Sequence, residues 1–260
     1  MKNNTFLSED FLRFIRTKLA HLNRRISRRR RDRFRSGYLS AISDISLRLQ
    51  DHATSETADY VASRMPLVHP VRSWRSVHDV AVQSAELEGG LVLEFGVYSG
   101  TTTNYIASKT GWTIHAFDSF EGLPETWRAG YKKGKFSRRS LPDVADTVTL
   151  HVGWFDETLP KFVADLKKDQ RSICYLHIDS DLYSSAKSVF SYLGGHIVAG
   201  TVIVFDEYFN YPGWKEGEFK AFQEFVAENS VKYEYITYNH EHQQVAVKIV
   251  SRADTPAKHE

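Results

Sequence analysis

The sequence is poor in cysteine. Its one cysteine, Cys174, in 260 residues excludes an intramolecular disulfide and any cysteine-rich zinc site. Such usage fits a reducing compartment. Long apolar runs are missing as well, and nothing approaches the roughly 20 residues that a membrane-spanning helix needs. Residues 1–22 do not read as a signal peptide, because Glu9, Asp10, Arg13, Arg16 and Lys18 interrupt the apolar positions. The expectation is a soluble, cytoplasmic protein. No internal repeat is present. Net charge is nearly absent too, at +2, but that total hides a division. Residues 1–35 hold twelve basic and three acidic side chains, a net +9. The remaining 225 residues hold 22 basic and 29 acidic side chains, a net −7. A basic arm is joined to an acidic body.

What is there suffices for a core: 42% of residues are apolar and 13% aromatic, which excludes a disordered body. In the arm, Phe11, Leu12, Ile15, Leu19 and Leu22 recur at helical spacing, and eight arginines follow within residues 24–35. A second apolar series starts after Gly37, and further helices are expected over residues 55–65 and 73–87. From Leu91 the pattern changes to short apolar strands alternating with helices. Strands are expected at 91–95, 113–117, 147–152, 173–178 and 201–205. Helices are expected at 101–109, 157–168, 184–193 and 216–228, with a terminal hairpin of strands 233–238 and 244–250. This order predicts an α/β fold: a doubly wound, mainly parallel seven-stranded sheet of the Rossmann-like kind with a helical N-terminal extension. The expected organisation is an extension over 1–70, a catalytic domain over 71–252 and a tail over 253–260.

In such a sheet ligands bind at the carboxyl ends of the strands, so the polar residues there carry the chemistry. The first strand runs Glu94-Phe-Gly-Val-Tyr-Ser-Gly100 into Thr101. Gly96 and Gly100 allow a tight turn and a close backbone approach; a plain strand–helix turn is the alternative. The second ends at Asp118 and Ser119. A carboxylate 22 positions after Gly96 suits the two hydroxyls of a ribose, the alternative being a cap or loop carboxylate. Gly153 and Trp154 end the third strand and offer an adenine-sized ring a partner, or else fill core. The fourth and fifth strands end in Asp179-Ser-Asp181 and Asp206-Glu207. Four carboxylates at one sheet edge raise one another's pKa unless a hard divalent cation compensates them, magnesium most naturally. Asp181 has an alternative role as cap of the following helix.

These motifs together resemble class I S-adenosylmethionine-dependent methyltransferases, and more closely the macrocin O-methyltransferase (TylF-like) family. The carriers are Glu94 to Gly100, Phe117-Asp-Ser-Phe-Glu-Gly-Leu-Pro124, Gly153-Trp-Phe with Thr158-Leu-Pro160, Asp179-Ser-Asp-Leu-Tyr-Ser-Ser185, and Gly200-Thr-Val-Ile-Val-Phe-Asp-Glu-Tyr208. The resemblance covers roughly residues 71–250. It implies a magnesium-assisted O-methyltransferase acting on a hydroxyl of a sugar or glycosylated small molecule. By position, Glu94, Gly96, Tyr98, Ser99, Gly100 and Thr101 would line the methionine part of S-adenosylmethionine. Asp118 and Ser119 would take its ribose, Gly153 and Trp154 its adenine, and Asp179 would also lie against it. Asp179, Asp206 and Glu207 would be metal ligands, and Asp181 with Asp179 the catalytic pair, Asp181 as general base. Glu207 departs from the pattern, which has Asp or Asn there. The segment 121–141 would be a lid over the acceptor.

Two rivals stand beside this reading. A nicotinamide-dependent oxidoreductase is disfavoured by Tyr98 standing where a middle glycine is needed, and by the clustered acids. A non-catalytic module would use its basic arm on nucleic acid or a membrane. Nucleic acid is disfavoured by the acidic body, which has no aromatic–basic stripe. The arm is read first as a solvated basic helix, paired with an acidic face of its own body or of a second subunit in a homo-oligomer. Weak contact of an anionic membrane with Arg24, Arg25, Arg28 to Arg31, Arg33 and Arg35 also fits the charge. Tyr208, Tyr211 and Trp214 are read as packing or acceptor-stacking rings, and His240 and His242 as exposed turn residues.

Overall fold

The computed structural model describes residues 9–169 and 171–252. Two units are distinguished, residues 1–52 and 53–260; the expected 253–260 tail lies outside the described residues. In the first unit, α1 (Glu9–Ser43) is one uninterrupted helix running through the arginine cluster and past Gly37, where the sequence reading breaks the apolar series. Arginine is a good helix former, and a lone exposed glycine costs only about 1 kcal/mol. Each side chain described between Thr17 and Leu49 is exposed, so the charges stay solvated. The helix ends where Asp44 caps α2 (Ile45–Arg64). Asp44 Oδ1 accepts from Ser46 N at 2.8 Å and Leu47 N at 3.2 Å, satisfying two amides that a helix start leaves open. Residues 53–70, expected in the extension, share the unit of the sheet. Ala53, Thr57 and Met65 are buried.

The second unit alternates strand and helix as its apolar periodicity requires. It comprises β1 (Pro70–Val71), α3 (Trp74–Ser84), β2 (Leu91–Phe95), α4 (Thr101–Thr110), β3 (Ile114–Asp118) and β4 (Val148–Val152). Then follow α5 (Phe155–Asp169), β5 (Ile173–Ile178), α6 (Tyr183–Leu193), β6 (Val202–Phe205), α7 (Glu218–Glu228), β7 (Val231–Asn239) and β8 (Val245–Arg252). The sheet has eight strands in the order β1-β7-β8-β6-β5-β2-β3-β4. Seven match the expected strands, and the eighth is the two-residue β1, parallel to β7. Only β8 runs antiparallel to its neighbours, β6 and β7.

Strands β2 and β5 are buried at each position, which is why they read as continuous apolar runs. Their faces pack two ways. Phe95, Phe117, Ile178 and Phe205 join the cluster built with residues of α5, α6 and α7. Val92, Ile114, Ala116 and Val204 join Val77 and Ala81 of α3 and Ile106 of α4 on the other face. The chain leaves β2 toward β3 and β4, then returns to place β5 on the opposite side of β2. The crevice for a ligand therefore opens above β2 and β5.

Candidate active site

A cavity of about 610 Å³ lies at that crevice, within the range of about 300–1,000 Å³ for small-molecule sites. Gly96, Tyr98, Asp118, Ser119, Gly153, Trp154, Asp179, Asp181, Asp206 and Glu207 all line it. Of the expected site residues, Glu94, Ser99, Gly100 and Thr101 do not.

The loop after β2 is shaped by a close approach. Gly96 has φ +96°, and a Cβ there would sit 1.7 Å from Asp179 O. No other residue permits the ends of β2 and β5 to meet so tightly. Asp118, at the end of β3, then fixes the loop: its Oδ2 accepts from Val97 N at 2.9 Å and Tyr98 N at 2.8 Å, and its Oδ1 from Phe120 N at 2.7 Å. A carboxylate holding several backbone N–H groups makes strong, charge-assisted bonds. Tyr98 is held left-handed, φ 45°. Ser99 and Thr101 bond each other at 2.8 Å, while a Cβ at Gly100 would meet Val144 at 3.1 Å and Pro142 at 3.3 Å. These three shape the start of α4 beside the cavity.

Glu94 lies below it. It is 1% exposed, and its Oε1 is 3.0 Å from His177 Nδ1. Beneath His177 the ring of His78 sits edge-on at 4.6 Å, with its Nδ1 2.6 Å from Tyr175 OH. Burial first, and then the neighbouring His177, hold the His78 imidazole far below its usual pKa, hence neutral. A carboxylate expected at the donor thus anchors an imidazole in the floor.

The acids converge. Asp179, Asp181 and Glu207 are all pushed above the ordinary carboxylate range, chiefly by burial and then by Asp206. Asp181 reaches about 7, with the Arg128 cation opposing the rise. It takes a left-handed conformation, φ 62°, which aspartate tolerates better than most residues. It does not cap α6, whose N-cap is Leu182 with no side-chain bond. Asp206 Oδ1 accepts from Gln244 Nε2 at 3.0 Å. Glu207 Oε2 is buried without a hydrogen-bond partner among the described residues.

The sequence reading missed two members. Glu218 is fully buried at the first position of α7; its Oε1 accepts from Ser180 N and its Oε2 from Glu207 N. Burial, partly relieved by those amides, pushes it up to about 8. A signal existed: Gly217-Glu218 opens a helix just after the fifth-strand motif. The second is His177. Ligand atoms of His177, Asp179 and Asp206 lie within 4.8 Å of one another, a compact group different from the expected Asp179, Asp206 and Glu207. His177 and Asp179 are two apart on one strand end, so a period of two places them on one face.

Among the five tryptophans, Trp154 alone has no aromatic ring partner among the described residues, and it faces the cavity. Tyr208, Tyr211 and Trp214 are at most 2% exposed, the packing alternative; Tyr208 OH lies 2.7 Å from Tyr235 OH. His240 and His242 are exposed, as expected. The segment 121–141 is pinned at its base, Leu123 N to Lys135 O at 2.8 Å and Arg138 N to Phe120 O at 2.9 Å. A Cβ at Gly122 would strike Lys135 O at 2.3 Å. No helix among the described residues is long and apolar enough to cross a membrane.

Comparison with known proteins agrees with this fold. Residues 93–208 match a family model described as a methyltransferase domain. No curated protein gives a significant sequence match. Among solved structures the chain is similar to CalS11, a calicheamicin methyltransferase, at 20% identity and TM-score 0.53, over 67% of this chain and 77% of that one. It is also similar to the O-methyltransferase NovP, at 20% identity and TM-score 0.52, over 68% and 77%. The fold is that of class I methyltransferases, and the five sequence motifs lie within the segment that matches the methyltransferase domain model.

Proposed function

We propose that this chain is an S-adenosylmethionine-dependent O-methyltransferase of the macrocin O-methyltransferase (TylF-like) type, acting with magnesium on a hydroxyl of a sugar or glycosylated small molecule. What carries the reading is one cavity that joins the Asp118-braced glycine loop to a buried carboxylate at the proton-transfer position, Asp181. The donor's ribose would meet Asp118 and its adenine the open face of Trp154. The acidic edge would favour binding of the donor's positively charged sulfur, a charge that is lost as the methyl group leaves.

The donor set suits a divalent cation. Asp179 and Asp206 would hold it together with His177, whose ligand atom converges with theirs. Glu207 Oε2, the expected third ligand, is a buried oxygen without a hydrogen-bond partner among the described residues. When bound, such an ion polarises a hydroxyl oxygen and lowers its pKa. Asp181 takes the hydroxyl proton as the oxygen–methyl bond forms and the sulfur–methyl bond breaks. A carboxylate raised by burial, as Asp181 is in the metal-free protein, holds a proton more readily than an ordinary carboxylate, which suits a general base. Glu218 holds Ser180 N and Glu207 N, and so orients both acidic segments.

Calorimetry decides the class. S-adenosylhomocysteine binding without NADH binding is expected; NADH binding without the methyl donor product would sink the proposal in favour of a nicotinamide enzyme.

A further inference from the structure

The segment that roofs the cavity is basic. Between residues 121 and 141 stand Arg128, Lys132, Lys133, Lys135, Arg138 and Arg139 against Glu121 and Glu125, and Glu125 is engaged by Ser184 Oγ at 2.8 Å. This +4 segment belongs to a body that is net negative. Among the described residues none of its six cations forms an ion pair, whereas Lys109, Lys187, Lys215, Lys220 and Lys248 all do. Gly122, Leu123, Pro124, Glu125 and Phe136 line the cavity. The six cations stand on the same segment, Arg128 close enough to act on the lining carboxylate of Asp181.

Arg128 is the most constrained of the six. Its guanidinium lies 3.9 Å from the ring centroid of Trp127, 4.6 Å from Tyr131 and 5.1 Å from Tyr211. Its Nε is buried with no hydrogen-bond partner among the described residues. Aromatic rings stabilise the cation through their π faces but accept none of its in-plane N–H bonds. The planar donor set of a guanidinium matches a planar or tetrahedral oxyanion, and here its Nε–H has no acceptor among the described residues.

We infer that the acceptor carries a phosphate or diphosphate group, which Arg128 binds at the roof while Lys132, Lys133, Lys135 and Arg138 supply the surrounding field. The inference rests on the methyltransferase reading and names its substrate class. The methyl donor does not supply such a charge: its one carboxylate is matched by its own ammonium, and its sulfur adds a further positive charge. A neutral sugar would offer the unpartnered Arg128 Nε no anionic acceptor. One carboxylate carries a single charge, whereas a phosphate ester carries about −1.5 to −2 at neutral pH, closer to the net +4 of the roof.

The test is calorimetry on the full chain with S-adenosylhomocysteine present, titrating glucose 1-phosphate, pyrophosphate, glucuronate and glucose in turn. Glucose 1-phosphate and pyrophosphate are expected to bind, and to weaken with added salt. Arg128→Met should reduce that affinity by about thirtyfold or more, the usual consequence of removing one partner of a charge-assisted pair, with S-adenosylhomocysteine affinity unchanged. If Arg128→Met does not fold, a Lys132→Gln, Lys133→Gln, Lys135→Gln variant serves, and should weaken the phosphate probes alone. Equal binding of glucuronate and glucose 1-phosphate overturns the inference. So does phosphate binding that ignores both variants, or no phosphate binding by a protein that still binds S-adenosylhomocysteine. Loss of S-adenosylhomocysteine binding in the unmodified chain, with phosphate binding retained, overturns the methyltransferase reading instead.

Discussion

The carboxylate of Asp118 holds Tyr98 in a left-handed backbone conformation: Oδ2 is 2.8 Å from Tyr98 N, and Tyr98 has φ 45°. The same oxygen also accepts from Val97 N. Asp118→Ala would leave three amides without their acceptor, and is expected to cost about 2–3 kcal/mol, the scale of hydrogen bonds to a charged group. Urea denaturation measures it. Affinity for S-adenosylhomocysteine should fall in parallel, because the loop that lines the cavity loses its brace. A stable variant with an unchanged affinity would remove Asp118 from the site.

Gly96 is required by packing as well as by φ. A methyl group at 1.7 Å from Asp179 O cannot be relieved by a side-chain rotation, since the obstacle is backbone. Gly96→Ala should destabilise the protein by about 3 kcal/mol or more, at the upper end of overpacking effects. Gly37→Ala, in the exposed helix α1 with nothing within 4 Å, is the control. It should stabilise α1 by about 1 kcal/mol or less.

Asp181→Asn tests proton removal. The amide keeps the size of the side chain and cannot take a proton. Turnover is expected to fall by about 10²–10⁴, the range for loss of a general base, while S-adenosylhomocysteine affinity stays within a few-fold. A variant that retains full turnover would exclude Asp181 as the base.

Stability should depend on pH in a direction opposite to that of a salt-bridged protein. In the metal-free protein Asp181 and Glu218 reach about 7 and about 8, above the unfolded carboxylate value of about 4. The folded state therefore binds more protons than the unfolded state across that window. Stability is present at low pH and is lost as pH rises from about 4 through about 8. Thermal melts of metal-free protein should show Tm falling over this range, with a shallower fall in Glu218→Gln. Identical slopes in the two proteins would show that Glu218 does not titrate there.

Deletion of residues 1–35 should leave S-adenosylhomocysteine affinity within about twofold by calorimetry, since the cavity is lined entirely by residues 96–207. Weakened donor binding in the truncated chain would give the basic arm a part in the site.

Much of the site was legible in the sequence because strand ends are local features. A buried parallel strand is a short apolar run, and the first polar residues beyond it must emerge at one sheet edge. This placed Gly96, Asp118, Gly153, Asp179, Asp181 and Asp206 as neighbours before any fold was in view. The charge division between arm and body was equally plain.

Only the tertiary structure decided which polar atoms are satisfied and by what. Glu94 belongs to a strand-end motif, yet β5 pairs beside β2 and gives that carboxylate to His177. Glu218 is distant from Asp179 in sequence, and reaches Ser180 because the start of α7 tucks under the acidic edge. Arg128 acquires its three rings from Trp127, Tyr131 and Tyr211, the last some eighty positions away. Periodicity reports which way a residue faces. Hydrogen-bond partners, desolvation and the resulting pKa depend on contacts between segments far apart in the chain, and those exist only after folding.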